Sequence, residues 1–304
     1  MRCFEIEPRP GALGVTLTCY LLDDSPEFQT GRLRPAVMVL PGGGYLGTSD
    51  REAEAVALRW AAHGYHSFVL RYSVRHPGPL GDGPPTGPVN HGSAFPGPLQ
   101  DLAAALAAVR THAEEWLVDP ARIVLCGFSA GGHLAAMLGA TWHDAETAKI
   151  TGVPAEDLRV AALVLGYPVT DYPDGKAAML AAGVSTRRQH WYEANRALFA
   201  VDDPDDAALV RLSPARRVTS AMPPTFVWHT AADALVPVSQ SLLLSAALAR
   251  AGVHQELHVF SDGPHGLALA DEVTAGRSDQ IEPRAASWFE LAAGWVAEVL
   301  SDVS

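Results

Sequence analysis

Charge is scarce in this sequence. Asp, Glu, Lys and Arg together make up 18% of 304 residues, and the 34 acids outnumber the 22 bases. A formal net charge of −12 argues against nucleic acid or an anionic membrane surface as the main partner, because phosphate-rich surfaces select lysine and arginine. Cysteine is scarcer still. Cys3, Cys19 and Cys126 are odd in number and lack framework spacing, so nothing demands an oxidising compartment. Cys126 reads as a small buried hydrophobe. No stretch reaches the ~18 consecutive apolar residues of a membrane span. Met1 to Pro10 carries Arg2, Glu5, Glu7 and Arg9 without an apolar run, unlike a signal peptide. These shortages predict a cytoplasmic protein with neither membrane nor nucleic acid as partner. Its oligomeric state is not written in the sequence.

What is present is a large apolar fraction, 48% of residues, enough for a sizeable core. Short apolar runs predict strands at Val15–Leu22, Pro35–Leu40, His66–Tyr72, Arg122–Cys126, Val160–Leu165, Thr225–His229 and Gln255–Phe260. Between them, helices are expected from Ser49 to about Ala62, over Leu99–Trp116, after Ser129, over Pro237–Ala251 and over Glu282–Leu300. Strand, helix, strand in alternation predicts an α/β fold with a mostly parallel sheet and helices on both faces. Two segments break the rhythm. His76–Pro98 holds seven prolines and six glycines and reads as a long loop, on the rim of a site rather than a plain surface excursion. Residues 169–214 hold mixed short helices with Tyr172, Trp191, Tyr192 and Phe199, as an inserted cap would. One domain, 1–304, with that insertion is the economical reading.

The chemistry gathers around Gly127-Phe128-Ser129-Ala130-Gly131. A serine flanked by glycines where a strand turns into a helix has the form of a nucleophile elbow. The turn is tight enough that a Cβ at 127 or 131 would collide with a neighbouring element. A serine hydroxyl is barely ionised at neutral pH and needs a base oriented by a carboxylate. Asp233 follows the Thr225–His229 strand and His265 follows the Gln255–Phe260 strand. Both therefore fall on the sheet edge where Ser129 falls, and parallel sheets bind ligands at that edge. The roles expected are Ser129 as nucleophile, His265 as general base and then acid, and Asp233 as the group that fixes the imidazole. Taken alone, Asp233 reads first as a helix cap and His265 as a structural turn residue; order and placement together favour catalysis. Asp171 is the better rival acid, ahead of Asp262 and Glu256.

An oxyanion needs at least two preorganised donors. The amides of Ala130, Gly43 and Gly44 are the candidates, the last two from the run Gly42-Gly43-Gly44 after the Pro35–Leu40 strand. That run lacks the spacing of a phosphate-binding loop. Tyr45, Tyr167 and Trp191 are candidate substrate contacts. His254 and His258 are four apart but lack a third ligand, so no metal is expected. His133 reads as a packing or hydrogen-bonding residue. If His265 is the base, with a pKa near the ordinary ~6.5, activity should fall as pH drops through about 6 to 7.

With these residues in view, the chain resembles the α/β-hydrolase superfamily. Within it, the chain is similar to the esterase branch of hormone-sensitive lipase and bacterial acetyl-xylan and feruloyl-type carbohydrate esterases. The likeness rests on Pro41-Gly42-Gly43-Gly44-Tyr45, Gly127-Phe128-Ser129-Ala130-Gly131-Gly132-His133, Tyr167-Pro168-Val169, His229-Thr230-Ala231-Ala232-Asp233 and Gly263-Pro264-His265-Gly266, spread over residues 34 to 300. Pro41 before the glycines departs from the His-led form of the lipase-like branch and fits the carbohydrate-esterase branch. The resemblance implies cofactor-free hydrolysis of a small-molecule ester with a short acyl chain, such as acetyl on a sugar. Amide hydrolysis of the arylformamidase type on the same residues is the alternative. A prolyl-oligopeptidase-type peptidase lacks its propeller here, and a non-catalytic receptor would typically have lost one of the three residues.

Overall fold

The computed structural model describes residues 1–27, 30–78, 80, 88–182 and 185–302. Among the described residues, eight strands form one sheet in the order β1-β2-β4-β3-β5-β6-β7-β8. They are β1 (Arg2–Ile6), β2 (Thr16–Leu21), β3 (Arg34–Leu40), β4 (His66–Arg71), β5 (Val118–Phe128), β6 (Ala162–Gly166), β7 (Thr225–Thr230) and β8 (Gln255–Phe260). β3 to β8 run parallel, and β2 is antiparallel to both β4 and β1. The α/β class read from the alternating pattern is the one observed.

Helices cover both faces, which is why the central strands are continuous apolar runs rather than alternating ones. The pleat divides them. Met38 and Leu40 of β3 enter one core with the helices Gly97–Thr111, Ser129–Thr141 and Ser239–Ala251. Val37 and Val39 enter the other with Glu54–Ala62 and Trp288–Ser301. In the second core the Trp228 and Trp288 rings stack with centroids 5.0 Å apart. β3 and β5 are neighbours whose following helices go to opposite faces. The loop after β3 and the elbow after β5 therefore open toward each other, at the switch point where such sheets bind ligands.

Several boundaries differ from the sequence reading. β1 was not expected, because an exposed edge strand carrying Arg2 and Glu5 has too little apolar pattern to show itself. The Ser49 start is not a capped helix: Asp50–Glu52 forms one 3-10 turn, Ser49 makes no side-chain cap, and Ala53 breaks the path before Glu54–Ala62. The Leu99–Trp116 helix starts earlier, at Gly97, and is interrupted at His112. The last helix is two, Pro283–Ala286 and Trp288–Ser301. Residues 79 and 81–87, the middle of the long Gly/Pro-rich loop, lie outside the described residues. Its near arm is laced to the glycine loop, with His76 N–H donating to Leu46 O and Leu80 N–H to Thr48 O. No helix among the described residues is long and apolar enough to cross a membrane.

Candidate active site

Ser129 sits at the end of β5 with φ +50, a left-handed conformation that a side chain adopts only when its surroundings force it. The forcing is visible at the flanking glycines. A Cβ on Gly127 would stand 2.4 Å from Gly131 O, and one on Gly131 would stand 2.0 Å from Leu40 O. Only glycine lets the helix turn back so closely over the strands. The hydroxyl that results lies 2.8 Å from His265 Nε2. His265 Nδ1 is 2.6 Å from Asp233 Oδ2. The structure thus brings Ser129, His265 and Asp233 into one chain of contacts, from the ends of β5, β8 and β7.

Asp233 is buried, yet its lone pairs are filled. Oδ1 accepts from Leu235 N–H and Val236 N–H, both at 2.9 Å. His229, wholly buried at the end of β7, donates through Nε2 to Val236 O at 3.0 Å, and the same nitrogen stands 3.3 Å from Asp233 Oδ2. Burial alone would raise the Asp233 pKa. The charge on His265 and the contacts of both histidines outweigh it and hold the carboxyl well below its usual range. His265 experiences the converse. Burial pushes it down, but the Asp233 charge, the Asp233 hydrogen bond and the charge of Glu52 lift it above the ordinary 6.5. The pH limb expected near 6 to 7 therefore moves to higher pH.

Two of the three oxyanion-donor candidates, Ala130 and Gly44, share a cavity wall with Ser129. Ala130 occupies the first turn of the elbow helix, where helix geometry leaves the amide without an intrahelical partner. Gly43 and Gly44 have φ +132 and +62, and among the described residues their amides bond to no other group of the chain. Gly42 is different, since its N–H is committed to Glu52 Oε2 at 2.7 Å. Tyr45 closes the loop. His133 Nε2 donates to Leu212 O at 2.7 Å, so its Nδ1 accepts from the Tyr45 hydroxyl at 2.6 Å. Burial pushes the His133 pKa down to about 4, so the ring is neutral and its tautomer fixed. The hydrogen-bonding role read for His133 is what the structure shows.

A cavity of about 80 Å³ opens at Ser129, lined among others by Gly44, Tyr45, Tyr172, Met179, His190 and Trp191. Two of the three aromatic candidates, Tyr45 and Trp191, are on its wall. Tyr167 is not. Its φ of +38 turns the ring inward, where it packs on His265 with centroids 4.9 Å apart, and its hydroxyl donates to Glu52 Oε1 at 2.7 Å. The rival acids are engaged elsewhere: Asp171 binds Arg216 at 2.6 Å, Glu256 binds His258 at 2.5 Å, and Asp262 is exposed. Among the described residues no cluster of His, Cys, Asp or Glu could hold a metal ion. Sequence reasoning missed Glu52, whose place in a first turn looked like ordinary helix chemistry. It also missed His229 and His190; of these, only His229 carried a signal, a histidine ending an otherwise apolar strand beside Asp233.

Comparison with known proteins now decides the family. The BD-FAE profile matches residues 88–248, just over half of the chain. The chain belongs to the BD-FAE family. This BD-FAE member is 30% identical to endo-1,4-beta-xylanase B of Butyrivibrio fibrisolvens over 81% of its own length and 34% of that protein's. It is 26% identical to an acetylxylan esterase of Xylanibacter ruminicola, over 83% of this chain and 44% of the other. The chain thus spans about a third to a half of the curated relatives it matches. Among solved structures, the carboxylesterase Cest-2923 of Lactobacillus plantarum WCFS1 superposes with a TM-score of 0.78 at 32% identity, covering 98% of both chains. The fold is that of the α/β-hydrolases, as the resemblance implied.

Proposed function

We propose that the protein is a serine carboxylic-ester hydrolase acting on short-chain acyl esters, with acetyl groups on carbohydrate-like alcohols as the natural class. The observation that carries the reading is the contact chain Ser129 Oγ–His265 Nε2–Asp233 at 2.8 and 2.6 Å. In this mechanism His265 takes the Ser129 proton as the oxygen attacks the acyl carbon. Asp233 holds the Nδ1–H tautomer and favours the imidazolium. The tetrahedral oxyanion is received by the amides of Ala130, Gly43 and Gly44, and loss of one such donor typically costs about 10²–10³ in rate. His265 then returns the proton to the departing alcohol, leaving an acyl-enzyme on Ser129. Water, activated by the same histidine, releases the acid. No metal or cofactor enters a step.

The acyl length is argued from the cavity. A cavity of about 80 Å³ lined by Tyr45, Tyr172, Met179 and Trp191 suits a short acyl group. The alcohol is argued from kinship, since one relative is named a xylanase and another an acetylxylan esterase. The test is a panel of initial rates on p-nitrophenyl acetate, butyrate and octanoate, an acetylated xylo-oligosaccharide and N-formyl-kynurenine. The reading expects acetate and the oligosaccharide to lead and octanoate to trail. Faster turnover of the formyl amide would replace it with the formamidase alternative.

A further inference from the structure

Beneath the three contacting residues lies a second buried carboxylate that the mechanism above does not use. Glu52 is 3% exposed and comes from the 3-10 turn Asp50–Glu52. Its two oxygens reach two different parts of the site. Oε2 accepts from Gly42 N–H at 2.7 Å, and Ser49 N–H donates to Gly42 O at 3.0 Å, so both backbone polar groups of Gly42 are tied to residues 49–52. Gly42 is wedged there: a Cβ on it would stand 2.8 Å from Glu52 Oε2 and 2.9 Å from Ser129 Cβ. Oε1 accepts from the Tyr167 hydroxyl at 2.7 Å, and that hydroxyl accepts from Ala268 N–H at 2.9 Å. Tyr167 in turn packs against the His265 ring in an edge-to-face contact, centroids 4.9 Å apart.

We propose that Glu52 is a positioning residue for the hydrolytic reaction, holding the donor loop through Gly42 and the base His265 through Tyr167, and giving the imidazolium a second anion besides Asp233. The proposal rests on the Ser129–His265–Asp233 reading. Burial pushes the Glu52 pKa up, against the hydrogen bonds from Tyr167 and Gly42 and the charges of His265 and Arg51; donor and acceptor accounting favours the carboxylate. The phenol already accepts from Ala268, so its own proton is directed to Oε1, and Oε2 faces an amide proton. A protonated Glu52 would leave a proton without an acceptor in a buried site, either its own on Oε2 facing Gly42 N–H or the phenol's if Oε1 carried it.

The charged and titratable groups around Glu52 come from every side. Arg51 neighbours it on its own turn and donates to Thr274 O. Tyr72 at the end of β4, Cys126 on β5 and Tyr167 after β6 are neutral at ordinary pH, burial having raised all three. His265 is thus the group facing Glu52 that changes charge near neutrality. As Ser129 surrenders its proton, positive charge appears on that ring between Asp233 and Glu52. Removing the Glu52 charge should make the ring harder to protonate, and loosening either tether should misplace donors and base by fractions of an ångström.

The experiment measures kcat, KM and the pH dependence of kcat/KM on p-nitrophenyl acetate for wild type, Ser129→Ala, Glu52→Gln and Tyr167→Phe, with thermal melts alongside. Glutamine keeps the shape, its carbonyl accepting from Gly42 and its amide turned to the phenol. We expect Glu52→Gln to lose about 10- to 100-fold, the size of a small misplacement, mostly in kcat, and its acid limb to move to lower pH. Normal rates, or a loss with an unmoved limb, overturn the proposal, the latter leaving Glu52 a purely structural carboxylate. If Glu52→Gln does not fold, Tyr167→Phe decides: a several-fold fall in kcat supports the proposal, and wild-type values overturn it. An active Ser129→Ala would instead remove the reading beneath it, so the two failures are distinguishable.

Discussion

The wall of the site built from the sheet edge and the wall built from the inserted helices obey different rules. On the sheet side, Asp233, His229, His133, Glu52 and Tyr167 are buried and each holds at least two polar contacts. On the helical side, Tyr172–Ala182 and Ser185–Phe199, the buried Trp191 Nε1 has no hydrogen-bond partner among the described residues, and pairs such as Lys176–Asp203 and Arg196–Asp202 lie in solvent. A saturated polar network fixes positions, because moving any member strands another in a low dielectric. Exposed ion pairs fix little. On the proposed function, the difference assigns bond-making to the sheet edge and the choice of substrate to the helices between β6 and β7.

The sharpest way to break that comparison is to disturb a saturated group without changing its shape. Asp233→Asn should lower kcat about 10⁴-fold while the melting temperature changes little, because an amide cannot hold the Nδ1–H tautomer of His265. Rates within tenfold of wild type would move the acid role elsewhere. A change in the helical wall should act on selectivity instead. Trp191→Ala enlarges the cavity, and the butyrate-to-acetate ratio of kcat/KM should rise about tenfold, the usual reward for admitting a methylene or two. An unchanged ratio would mean that this cavity does not hold the acyl group.

The pH prediction follows from the sheet side alone. His265 must be neutral to accept a proton, and its pKa is raised, so kcat/KM should fall as pH drops through a midpoint above 6.5. A profile flat from pH 5 to 8 would contradict the role of the histidine. The smallest effect belongs to the exposed pair: Lys176→Ala should leave both rate and melting temperature unchanged, and any large loss would show the helical side to be tighter than it looks.

Much of this was legible beforehand, for reasons that are themselves physical. Ser129, Asp233 and His265 each follow a short apolar run, and a parallel sheet carries the ends of such runs to one edge. Gly43 and Gly44 announce themselves because few other loops need consecutive glycines. The supporting residues were hidden. Glu52 follows a serine by three positions, the pattern of a capped helix start, and only the inward turn of its side chain distinguishes it. Tyr167 follows a strand as a substrate contact would, but its positive φ points it under His265. His190 lies in a polar helix with no local signature, and reaches Gly44 only through tertiary folding: a Cβ on that glycine would stand 3.1 Å from the imidazole.

The central claim is that Ser129 is the nucleophile. Its most direct test is p-nitrophenyl acetate hydrolysis by purified wild type and Ser129→Ala, with acid-quenched peptide mass spectrometry of both. The account predicts turnover by wild type, an acetyl group trapped on the Ser129 peptide, and neither turnover nor adduct in the folded alanine variant. Undiminished hydrolysis by Ser129→Ala, or an adduct on another residue that accounts for turnover, would contradict it.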